Sequence, residues 1–88
     1  MSLLGDTRPL PIRRKVVSKI SQETGLSGVY VTISDAEATF TVCTDKEGWI
    51  DSYVSSYPVT LEIDLTGYSF YEEKSSDSIA VIELTPAD

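Results

Sequence analysis

Gly28-Val29-Tyr30-Val31-Thr32-Ile33 is the stretch that decides the fold. Val29, Val31 and Ile33 alternate with Tyr30 and Thr32, the period of a strand with one buried face. Ala38 to Val42 repeats the pattern, with Ala38, Phe40 and Val42 on one side and Thr39 and Thr41 on the other. Thr44-Asp45-Lys46-Glu47-Gly48-Trp49 follows, and Asp45 and Gly48 supply turn chemistry before a further strand, Trp49 to Val54. Beyond the break at Ser55-Ser56-Tyr57-Pro58, Val59 to Leu65 alternates most cleanly. Val59, Leu61, Ile63 and Leu65 face inward; Thr60, Glu62 and Asp64 face outward.

Extending outward in both directions gives seven short strands. The first covers Arg13 to Ile20, with Val16 and Ile20 toward the core, and Ser21 to Gly25 reads as a turn. Tyr68 to Tyr71 is the sixth strand, Lys74-Ser75-Ser76-Asp77 a turn, and Ser78 to Leu84 the last strand. No segment sustains a helical period of apolar residues. Turn signals every 8–12 residues between short strands are the mark of a sandwich. The fold expected is all-β: a small Ig-like or prealbumin-like sandwich of about seven antiparallel strands, residues 13–88. An extended N-terminal arm, residues 1–12, precedes it, because Pro9 and Pro11 forbid helix and favour extended neighbours.

Eighty-eight residues suit one domain with a modest core. No apolar run approaches the roughly 20 residues that span a bilayer, so membrane insertion is not expected. No basic segment leads into an apolar stretch, so no secretory signal is expected and synthesis in the cytoplasm is. Cys43 is the single cysteine and has no internal disulfide partner. The net charge of −7 is unevenly spread. Residues 1–19 hold five bases against Asp6, a net +4, and residues 20–88 hold Lys46 and Lys74 against thirteen acids, a net −11. An acidic body is a poor match for phosphate backbones, so nucleic acid is not the expected partner.

The order of motifs resembles the prealbumin-like sandwiches, among them the Cna protein B-type repeats and the carboxypeptidase regulatory-like domains. The residues carrying the likeness are Gly28 to Ile33, Thr44 to Trp49, Val59-Thr60-Leu61-Glu62 and Gly67-Tyr68. Some members of that family carry an isopeptide bond between a first-strand lysine and a last-strand Asn or Asp, promoted by a buried acid. The resemblance would put Lys15 or Lys19 and Glu62 in two of those roles. The chain contains no asparagine, and Ser78 to Leu84 contains no aspartate, so it departs from the family where the bond would form.

The chain holds no histidine, which removes the commonest general base and metal ligand. Pairs such as Ser18 with Lys15 or Lys19 are a poor start for catalysis, since a lysine becomes a base only when buried. No catalytic residue, cofactor or metal site is expected. Asp45, Glu47 and Asp51 have oxygen ligands that suit calcium, but the Asp45 to Gly48 turn lacks ligand density and contains Lys46.

Two surfaces remain as candidates for binding. In the arm, Leu3, Leu4 and Leu10 could fill apolar pockets of a partner while Arg8, Arg13 and Arg14 pair with its acids. On the strand from Trp49 to Val54, Trp49, Asp51 and Tyr53 share one face, a platform for a sugar ring or a protein hot spot, or bulky residues closing the core. The expectation is a non-enzymatic structural module with protein partners, forming a homo-oligomer or larger assembly. It fits a phage virion protein, whether decoration, connector or tail-associated, docking by its arm. The alternatives are a stalk domain of a bacterial surface adhesin or pilin, and a carbohydrate-binding sandwich using Trp49 and Tyr53.

Overall fold

Alternating apolar residues on half-buried strands bury one face each, and two such faces pressed together make a core about 10 Å thick. The computed structural model describes residues 10–87 and has this form. Its strands are β1 (Leu10–Ser18), β2 (Ser21–Gly25), β3 (Tyr30–Ser34), β4 (Thr39–Cys43), β5 (Trp49–Val54), β6 (Val59–Ile63), β7 (Tyr71–Ser75) and β8 (Ile79–Leu84). One sheet is built around β1, with β8 on one edge and both β5 and β2 on the other. The second has the order β4-β3-β6-β7. All ladders are antiparallel except β1–β8, which is parallel. The fold is therefore an all-β sandwich.

Ile12, Val16, Ile50, Val54, Ile82 and Leu84 from the first sheet meet Val31, Ile33, Val59, Leu61 and Ile63 from the second, all at most 2% exposed. A register irregularity between Val17 and Ser18 lets three consecutive residues of β1, Val16 to Ser18, be buried together.

The structure redraws the N-terminal boundary. Leu10, Pro11 and Ile12 pair with Val54, Tyr53 and Ser52 as the start of β1, and Ile12 is fully buried. The Tyr57 hydroxyl donates to the Pro11 carbonyl at 2.6 Å, so this segment belongs to the body and not to an arm. Residues 1–9 lie outside the described part. At the other end β1 stops at Ser18, and Ile20, expected in the core, is 81% exposed in the turn that follows. Two further strand boundaries differ. Ser21–Gly25, expected as a turn, forms β2, an eighth strand held by backbone pairing at two registered positions of β1. The strand expected at Tyr68–Tyr71 is displaced to β7, Tyr71–Ser75.

The inward face of β7 carries Tyr71, Glu73 and Ser75 because it faces an arginine. Arg14 lies on the inward side of β1 with no exposed surface. Its Nη2 donates to Glu73 Oε2 (3.3 Å), Ser75 Oγ (3.2 Å) and the Asp77 carbonyl (3.1 Å), and Nη1 donates to the Arg13 carbonyl (2.8 Å). Glu73 accepts a second bond from the Tyr71 hydroxyl. Burial, then this hydrogen bond to the Glu73 carboxylate, pushes the Tyr71 phenol above its ordinary pKa. The two sheets are thus joined across one side of the interior by a charged network.

On another side they are joined by Asp35, in the turn between β3 and β4. Its Oδ2 accepts the Ser55 N–H and hydroxyl, both at 3.0 Å, and its Oδ1 accepts the N–H groups of Glu37 and Ala38, both at 2.8 Å. The Ser55 N–H, followed by that of Glu37, holds the carboxyl well below the usual aspartate range.

Arg14→Ala removes the only cation from the network around Glu73 among the described residues, and is expected to cost about 3–5 kcal/mol in urea unfolding. Replacing Arg14 and Glu73 together with leucine is expected to recover most of that loss, because no unpaired charge is then left inside. The Asp35 carboxyl is depressed in the folded state, so its contribution is full above the unfolded value of about 4 and is lost as pH falls below it. Wild-type stability is expected to drop more steeply below about pH 4 than that of Asp35→Asn, as read by acid titration of circular dichroism.

Candidate functional site

Because successive side chains of a strand point to opposite faces, the outer surface of the first sheet is set by the register of β8, β1 and β5. Ile79, Arg13 and Asp51 form one row across it, and Val81, Lys15 and Trp49 the next; Pro11 lies beside Tyr53. Trp49, Asp51 and Tyr53 therefore do share one face, and it is the outer one: Tyr53 is 49% exposed while Ile50 and Val54 on the opposite face are buried. Trp49 and Tyr53 do not close the core. The Arg13 guanidinium carbon stands 4.8 Å from the centroid of the Trp49 ring, a cation–π distance. Its Nε lies 3.7 Å from Asp51 Oδ2, an ion pair too long for a hydrogen bond.

The residues expected to serve an arm are divided by the structure. Leu3, Leu4 and Arg8 lie outside the described residues. Leu10 packs half-buried against the core. Arg13 sits on the outer face, and Arg14, with every bond it makes directed into its own chain, is inside. Arg14 cannot reach the acids of a partner. Lys15 is on β1 and Glu62 on β6 of the other sheet, opposite Thr32 and Glu72, so the isopeptide roles suggested for them fall on different layers. Ser18 faces inward and Lys15 outward, which keeps that pair apart.

The turn between β4 and β5 is organised by Asp45. Its Oδ1 accepts the N–H groups of Glu47 (2.9 Å) and Trp49 (3.0 Å), and its carbonyl accepts the Gly48 N–H (3.0 Å). The Trp49 N–H, followed by that of Glu47, lowers the Asp45 pKa. Among the described residues no three His, Cys, Asp or Glu side chains gather as a metal would require, and the Asp45 carboxylate is occupied with its own turn.

Next to this turn is a feature that no local sequence pattern announces. One edge of β1 is shared: β5 pairs with Leu10–Lys15, and β2 with Val17 and Ser18. Where one strand gives way to the other, Val16 donates to the Gly48 carbonyl and accepts from the Leu26 N–H, both at 2.8 Å. The gap is a cleft of about 310 Å³ lined by Lys15, Thr24, Gly25, Lys46, Glu47 and Trp49. Gly25 and Gly48 touch at its floor. A Cβ on Gly25 would lie 1.7 Å from the Glu47 carbonyl oxygen, and Gly48 has φ +91°, a region that favours glycine.

Two exposed apolar residues complete the face. Ile79 and Val81 point outward from β8 and are 54% and 58% exposed. They sit in the run Ile79-Ala80-Val81-Ile82, whose unbroken apolar character resembles a strand buried on both sides. The alternation that would reveal an exposed face is therefore missing. No helix among the described residues is long and apolar enough to cross a membrane.

No protein-family model matches the chain, and no curated protein matches it.

Gly25→Ala is expected to force β2 away from the Asp45–Gly48 turn. The cost expected is about 1–3 kcal/mol, typical of an overpacked site, with a shift in the fluorescence of Trp49, the single tryptophan. Unchanged stability and emission in Gly25→Ala would mean that the two backbones do not meet as described.

Proposed function

We propose that this chain is a non-enzymatic assembly module that docks onto a second copy of itself through β8 and the outer face of the first sheet. The observation that carries the reading is the state of β8. Among the described residues it has a ladder partner only in β1, and beside its other edge it exposes Ile79 and Val81. Proteins ordinarily blunt such edges with charge or cover. The outer edge of the second sheet follows that practice, since β7 turns Glu72 and Lys74 outward. At its other edge β4 turns Thr39 and Thr41 outward. β8 does neither at positions 79 and 81, and an apolar patch next to an open edge suits strand addition: the main chain supplies hydrogen bonds and alternate side chains supply selectivity.

Tyr53, Arg13 and Trp49 extend the same face, and aromatic and arginine side chains are those most used at the centres of interfaces. The contrast between a basic segment 1–19 and an acidic remainder supports attraction between neighbouring copies. The setting we favour is a repeated structure such as a phage virion, in which the chain would be a decoration, connector or tail-associated component. Its two-sheet architecture supports the prealbumin-like resemblance. A docking role for the N-terminal segment rests on Leu3, Leu4 and Arg8.

Light scattering tests the reading. Wild-type protein is expected to be a dimer or larger at high micromolar concentration. The double variant Ile79→Lys, Val81→Lys is expected to be a monomer with an unchanged β-sheet circular dichroism spectrum. A wild type that stays monomeric at every concentration would overturn docking between copies.

A further inference from the structure

We infer that the cleft between β5 and β2 is a binding site for a small acidic sugar, a hexuronate unit or short oligomer. The inference does not rest on the assembly reading, because the cleft opens on the edge of β1 away from β8. Its charge is the first argument. The chain has twice as many acids as bases, yet this cleft reverses the ratio: Lys15 and Lys46 line it against the single acid Glu47, and neither lysine has an ion-pair partner among the described residues. Two ammonium groups with free donors call for an anionic ligand.

The wall is the second argument. Trp49 is directly opposite Lys15 in the ladder and is steadied by Arg13 at 4.8 Å. An indole beside two ammonium groups matches a pyranose carboxylate, which offers an apolar C–H face and a negative charge on one ring. The Thr24 side chain and the exposed turn backbone add partners for sugar hydroxyls. At about 310 Å³ the cleft is at the small end of ligand sites, which run from about 300 to 1,000 Å³.

The floor supplies the third. The Gly25–Gly48 contact leaves no room for a side chain at either position, so neither residue can carry one into the space. Asp45 holds the backbone that presents Lys46 and Trp49, so the site is formed before a ligand arrives. A peptide adding as a strand is disfavoured, since Val16 at the gap already uses both its N–H and its carbonyl.

The test is a titration of the full chain with short oligogalacturonate, followed by Trp49 fluorescence. Saturable binding that weakens with added salt is expected. Lys46→Gln is expected to bind about tenfold more weakly, a change typical of losing one charged contact, whereas Lys74→Gln, remote on β7, should bind as wild type. Lys46 is exposed in a turn whose bonds come from Asp45 and the backbone, so this variant is expected to fold normally. No spectral change at millimolar sugar would overturn the inference. So would equal binding of neutral galacto-oligosaccharide, or tighter binding of a glutamate-rich peptide.

Discussion

A guanidinium buried between two sheets constrains this molecule more than any other group. Arg14 occupies an inward position of the central strand β1, flanked there by the buried aliphatics Ile12 and Val16, and it cannot be left there without partners. Glu73, Ser75 and the Asp77 carbonyl supply them, and Tyr71 bonds Glu73 in turn. This one requirement dictates the polar inward face of β7 and the position of the turn that leads into β8. It also divides the two outer strands by character. β7 is polar on both faces and so protected against further pairing, while β8 is apolar on its inward face and outward at Ile79 and Val81, with Glu83 the one outward charge, and among the described residues its only ladder partner is β1.

The strands that were legible in the sequence are those whose burial follows simple alternation. Val29 to Ile33, Val59 to Ile63 and Trp49 to Val54 each bury one face in aliphatic surroundings, so the period of two survives intact. β7 was displaced because its inward residues answer to Arg14 and not to the aliphatic core. An arginine at position 14, next to Arg13 and Lys15, reads as part of a solvated basic run. Only the three-dimensional meeting with Glu73, fifty-nine residues later, makes it a core residue. β2 is silent in the sequence for a different reason. Ser21–Gly25 is held by the backbone of β1 at two positions, and backbone pairing leaves no trace in hydrophobicity. The arm boundary is not legible because Pro9 and Pro11 favour the same extended backbone in a free arm and at the start of a strand. Proline is tolerated at the beginning of a strand, and here Ile12 behind it is fully buried.

The candidate site divides in the same way. That Trp49, Asp51 and Tyr53 lie together follows from their spacing in one strand. Whether that face looked in or out required the register of β1 and β5. The grouping of Lys15, Lys46, Thr24 and Gly25 comes from three separate segments, brought together where β1 exchanges one partner strand for another. No spacing rule encodes such an exchange. Ile79 and Val81 were hidden by the opposite effect, an apolar run too uniform to show which half of it is exposed. The picture that results is a sandwich whose second sheet has hydroxyl-bearing and charged edges. Its first sheet carries β8 with exposed Ile79 and Val81, the outward pair Trp49 and Tyr53, and Lys15 beside the cleft.

Hydrogen exchange of individual amides as a function of protein concentration tests most directly the claim that β8 is the working edge. The Ser78 carbonyl accepts from Arg13 of β1 and the Leu84 carbonyl from Lys19 just beyond its end, so by alternation the Ile79 and Val81 N–H groups point away from β1. The account predicts that these two amides exchange rapidly in dilute solution and become protected as concentration rises, while the outward amides of β7 do not change. Protection at Ile79 and Val81 that is independent of concentration, or a rise confined to β7 or β4, would contradict it.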